Sequence, residues 1–136
     1  MHLPSITAGY LAVLALVYVV LAVQVIRLRQ KNRAAFSDGG SIELRSAIRA
    51  HAHFAEYVPI TALMVAMLEM SGVSGLRIHL LMGALLVARL LHPLGMCAKP
   101  STLQFRVGRV GGMTITTGLL IVCALLILSR ALIPAN

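Results

Sequence analysis

The chain has 136 residues, 59% of them hydrophobic and 12% charged, with a mean hydropathy of +0.90. That balance excludes an ordinary soluble domain and fits one small integral membrane domain. The 12 Lys and Arg against 4 Asp and Glu give a net charge of +8, yet the basic residues gather mainly between apolar segments, where topology and anionic headgroups account for them without nucleic acid.

The single domain, 1–136, reads as four helices at about 6–30, 42–70, 76–96 and 106–132. The first is apolar from Ile6 to Ile26, enough to cross a hydrocarbon core of ~30 Å. It lacks the basic start of a secretory signal, so it reads as a retained helix. Arg27, Arg29, Lys31 and Arg33 follow it. Asp38-Gly39-Gly40 is turn chemistry; Ser41 is placed to cap the second helix, and Glu43 suits its first turn. Pro59 sits inside that helix, where it removes a backbone donor and predicts a kink that membrane helices tolerate.

Ser71-Gly-Val-Ser-Gly75 makes the next turn, and the third helix carries Arg77, His79, Arg89 and His92. A connection with Cys97 and Lys99 leads to the fourth helix, where Gly108 and Gly112 form a small-xxx-small pair that permits close helix approach. Cys97 and Cys123 form neither a disulfide framework nor a metal motif and read as free thiols. Basic residues crowd connections one and three, so both are expected in the cytoplasm and both termini in the periplasm.

Residues 45–59, R-S-A-I-R-A-H-A-H-F-A-E-Y-V-P, carry the functional signal. Ionisable groups at membrane depth cost about 2.5–3.5 kcal/mol each, which points to a site or an internal pairing. At about 100° per residue, Arg45, Arg49, His53 and Glu56 share one stripe with Tyr57 beside it, and Glu56 lies roughly 20 Å along the helix from Ile42. Such a stripe suits an anionic ligand that also bears an amine, held by the planar fork of an arginine. It equally suits a structural network in which Glu56 neutralises Arg89. His51 and His53 diverge by about 200°, so they do not chelate one ion, and no metal is expected. Arg89 with His92, and Arg106 with Arg109, are pairs three apart that share a face. No nucleophile–base pair, phosphate loop or dinucleotide fingerprint is visible.

R-A-H-A-H-F-A-E-Y-V-P at 49–59 resembles the helix-two signature of the membrane-associated proteins in eicosanoid and glutathione metabolism, the MAPEG family, approximately R-x-x-x-N-x-x-E-Y-x-P. Arg49, Glu56, Tyr57 and Pro59 match it position for position. The stretches 25–40, 83–92 and 109–116 are similar to the small bacterial branch. The resemblance implies an all-α, four-helix membrane bundle that assembles as a homotrimer in the bacterial inner membrane. It also implies glutathione as cosubstrate near the cytoplasmic face between subunits, and lipophilic small molecules as second substrates. By matching positions, Arg49, Glu56 and Tyr57 would contact glutathione with Arg27 or Arg29, and Arg109 or Arg106 would stabilise the thiolate; His53 and Arg89 are further candidates for the glutathione site. His53 replaces the family asparagine, and Pro93 and Met96 stand where a helix-three tyrosine is often found. The alternative is a non-enzymatic trimeric scaffold, or a lipid or small-molecule binder, that keeps the Arg and Glu network for assembly.

Overall fold

The computed structural model describes residues 3–96, 98 and 101–132; Cys97 and Lys99 lie outside them. Among the described residues the chain forms four long helices and no strand: α1 (Ser5–Lys31), α2 (Ile42–Met70), α3 (Gly75–Met96) and α4 (Leu103–Leu132). α1, α3 and α4 are each long and apolar enough to cross a membrane. α2 has the length, 29 residues, but its polar side chains hold it below the hydropathy of the other three. The all-α membrane bundle that composition predicts is therefore what forms.

Contacts at the helix ends set the directions. Glu69, one turn-fragment from the end of α2, accepts from the amides of Ile6 and Thr7, each at 2.9 Å, and from the Thr7 hydroxyl at 2.6 Å. The first amides of a helix have no partner within it, so a carboxylate from the neighbouring helix acts as the cap of α1. α2 thus runs antiparallel to α1. Tyr10 Oη of α1 meets His79 Nδ1 of α3 at 3.3 Å, which makes these two parallel. Arg130 of α4 donates to the Ser71 carbonyl at 2.8 Å, which brings the ends of α4 and α2 to the same side.

The core follows the helical period. α2 buries Ala47, Ala50, Phe54, Val58, Thr61, Val65 and Leu68, and α3 buries Ile78, Met82, Leu85, Arg89, His92 and Gly95. Leu14 and Leu21 of α1 and Cys123 of α4 close the main cluster. A smaller cluster of Leu28, Ala34, Leu44 and Ala47 lies under the first connection.

That connection is bound tightly to both flanking helices. Arg29 Nη1 donates to the carbonyls of Ala34, Ala35 and Ser37 at 3.3, 3.3 and 3.0 Å. The Gly40 amide donates to Asp38 Oδ1 at 3.0 Å, and Arg45 Nε bonds the other carboxylate oxygen. The Arg45 side chain, with the Gly40 amide, holds the Asp38 carboxyl below its ordinary value of 3.8. Ser41 caps α2 by accepting from the Leu44 amide at 3.3 Å.

α4 begins with one turn, Leu103–Phe105, after the Thr102 hydroxyl accepts from the Phe105 amide at 3.2 Å. A wide π-helical segment, Arg106–Gly111, follows, and Gly112–Leu132 is α-helical. The small-xxx-small pair brings this start against α3. A methyl group placed on Gly95 would lie 2.1 Å from the Arg109 nitrogen and 2.6 Å from the Gly108 carbonyl carbon. Two backbones therefore touch where any side chain would push them apart.

Candidate functional site

The helix-two stripe divides once it is folded. Arg45 turns back onto Asp38 and is occupied in the first connection. Arg49 Nη2 lies 3.1 Å from His53 Nε2, and His53 Nδ1 lies 3.1 Å from His92 Nε2 on α3. The two imidazoles stack with centroids 5.3 Å apart and planes at 29°. Tyr57 stands edge-on to His53, with centroids 6.2 Å apart. Arg49 and Glu56 remain exposed on the outer face of α2.

The pairing of Glu56 with Arg89, one of the two readings of the stripe, does not form. Among the described residues the ion pairs are Lys31–Glu43 and Arg45–Asp38. Arg89 is 1% exposed and reaches α4 instead: Nη2 donates to Thr116 Oγ1 at 2.6 Å and to the Gly112 carbonyl at 3.2 Å. The Thr116 hydroxyl donates to the same carbonyl at 2.8 Å. The cause is the glycine-lined crossing of α3 and α4, which draws the buried face of α3 toward α4 while Glu56 faces outward. Arg89 Nε and Nη1 find no hydrogen-bond partner, so this cation is only partly satisfied.

Arg106 and Arg109 are both exposed in the π segment. A π turn closes bonds between residues five apart, which changes the angle between the two arginines from that of an α-helix; such turns recur at functional sites. Arg109 lies over the Phe105 ring, 5.2 Å from its centroid.

The helix-one arginines also separate. Arg29 is used on three loop carbonyls, whereas Arg27 is exposed and lines a groove of about 550 Å³ with Val20, Val23, Gln24 and Glu43. His51 points away from His53, as the helical period requires, and stacks on Tyr18 at 4.6 Å. One turn from Glu56, an apolar groove of about 380 Å³ runs between α1 and α2, lined by Leu11, Tyr18, Phe54, Ala55, Val58 and Pro59.

Two residues outside the sequence-derived site turn out to hold it: His92 bonds His53, beside the backbone of Arg109, and Thr116 bonds Arg89. The spacing of Arg89 and His92 placed them on one face but gave no sign of the imidazole opposite. Thr116 continues the Gly108-xxx-Gly112 spacing by one more step, and that was the available signal.

Comparison with known proteins agrees with this architecture. The family model described as MAPEG family matches residues 7–129. The chain is 38% identical over 90 residues to the protein named inner membrane protein YecN of Escherichia coli K12, covering 66% of this chain and 69% of that one. The protein of the same name in Escherichia coli O6:H1 matches with the same identity and coverage. No solved structure gives a significant match.

Proposed function

The chain belongs to the MAPEG family, and from that premise we propose a membrane-embedded, glutathione-dependent transferase or peroxidase acting on lipophilic electrophiles. Glutathione lies near the cytoplasmic face between the subunits of a homotrimer. The observation that carries this reading is the outer face of α2, where Arg49 and Glu56 stand exposed, outside any ion pair among the described residues, one turn from an apolar groove. Charges so placed call for a ligand or a neighbouring subunit. Glutathione offers carboxylates to Arg49 and an ammonium group to Glu56, and the groove offers space to the apolar part of an electrophile.

In this reading Tyr57 completes the contacts of α2, and the exposed Arg27, not the loop-bound Arg29, reaches in from helix one. Arg109, or Arg106, stabilises the thiolate. A free thiol ionises near pH 8.5, and a guanidinium beside it favours the anion. The thiolate attacks the electrophilic carbon, a C–S bond forms, and the leaving group departs with its electron pair. The relatives' description as inner membrane proteins supports the same membrane for this chain. The basic connections support an orientation with both termini in the periplasm.

The second reading, a non-enzymatic trimeric scaffold or binder, draws on Arg89, whose bonds are spent inside the bundle on Gly112 and Thr116. One experiment separates the two. Purified protein in detergent is titrated with glutathione by calorimetry, the thiolate absorbance is followed against pH, and turnover of a generic electrophile is measured. Binding, with Arg49→Ala weaker by roughly 2–4 kcal/mol and Arg109→Ala raising the thiol pKa, supports the enzyme. No binding at millimolar glutathione leaves the scaffold.

A further inference from the structure

His53 is held from both sides, and the chemistry of its partners fixes where its proton sits. A guanidinium donates and does not accept, so His53 Nε2, 3.1 Å from Arg49 Nη2, must be an acceptor. A ring with a bare Nε2 carries its proton on Nδ1, which then donates to His92 Nε2 at 3.1 Å. His92 must in turn carry its own proton on Nδ1. That atom is buried and makes no hydrogen bond, although the Arg109 backbone lies beside the ring. One arrangement of protons satisfies the geometry, and in it both rings are neutral.

We infer that His53 and His92 form a tautomer-locked relay that positions Arg49, with His92 acting through His53. Both ring nitrogens of His53 are engaged inside the protomer, so its role is to orient the guanidinium and not to touch a ligand. The consequence for glutathione rests on the proposed glutathione site; the lock itself rests on the geometry alone.

The lock is sensitive to a second proton on either ring. A protonated His92 presents N–H to the N–H of His53; His53 then moves its proton to Nε2 and meets the Arg49 donor head-on. The charged groups facing the pair are Arg49 and Glu56 from α2, Arg89 from α3 and Arg109 from α4, with Tyr57 edge-on. Loss of the lock frees Arg49 from its place on the stripe, which lowers affinity for a carboxylate without altering the attacking thiol.

Nitrogen-15 NMR of histidine-labelled protein in detergent tests the lock without any ligand. His53 should show a protonated Nδ1 and an unprotonated Nε2; a proton on Nε2 overturns the inference. His92→Gln keeps an oxygen that accepts from His53 Nδ1, whereas His92→Phe keeps the ring shape and no acceptor. The dissociation constant of glutathione should rise about tenfold in His92→Phe and stay near wild type in His92→Gln. In the wild type its acid limb should track the imidazole titration seen by NMR. Unchanged His53 signals and unchanged affinity in His92→Phe overturn the relay. A wild type that binds no glutathione overturns the glutathione half alone, because the His53 tautomer still decides the lock.

Discussion

Glu69 offers the sharpest test of how the bundle is closed. Its carboxylate accepts three hydrogen bonds from the first turn of α1, two of them from amides that no residue of α1 can satisfy. Hydrogen bonds to a charged group contribute about 1.5–3 kcal/mol each. The three share one side chain and are not additive, and Glu69 is only half-buried, so screening reduces the sum. Glu69→Ala should cost about 2–3 kcal/mol. Glu69→Gln keeps one acceptor oxygen and loses the charge, and should cost about half as much. Unfolding in detergent by heat or denaturant measures the loss, and hydrogen exchange at the Ile6 and Thr7 amides locates it. If Glu69→Ala unfolds like the wild type with those amides equally protected, the carboxylate does not cap α1 and the reasoning fails.

Gly95→Ala should destabilise by about 3 kcal/mol or rearrange the crossing of α3 and α4, since its methyl group would meet backbone and no flexible side chain can yield; thermal unfolding reads it. Thr116→Val should cost about 2 kcal/mol by leaving Arg89 one hydrogen bond, while Thr116→Ser keeps the hydroxyl and most of the stability. Asp38 is held below its ordinary value, so its contribution is fully present above pH 3.8 and is lost as pH falls through the lower, folded-state value. Asp38→Asn should therefore flatten the acid limb of a stability–pH curve, and an unchanged limb refutes the Asp38–Arg45 bond.

The length and hydropathy of the apolar runs were enough to read the bundle, because a spanning helix carries its signal within about 20 consecutive residues. The cap at Ser41, the turn at Asp38 and the small residues of α4 were legible for the same reason: each acts over a few residues of chain. Contacts between distant helices were not. Glu69 stands in an apolar run with nothing local to suggest that it serves Ile6 and Thr7. A pairing of Arg89 with Glu56 was one of two readings of the stripe, since unlike charges attract, yet the glycines of α4 bring its backbone so close that a threonine and a carbonyl take the cation. The two helix-one arginines are alike in sequence, and only the course of residues 34–37 reveals that Arg29 is committed to the loop.

In the proposed trimer, Arg49 and Glu56 tie assembly to chemistry. Two charges left at membrane depth on one protomer would cost about 5–7 kcal/mol on the gentler insertion scales, more than half the stability of many small domains. Among the described residues no opposite charge of the protomer pairs with either of them, and the Arg49 guanidinium is held by the neutral ring of His53. The relief must come from outside the protomer, from another copy or from a ligand of mixed charge. The proposed trimer supplies both together, since a ligand between subunits meets the α2 stripe of one and basic residues of the next. On that argument a monomer lacks more than affinity for its neighbours. It lacks half of its own site, and conditions that dissociate the oligomer should abolish glutathione binding before they unfold the helices.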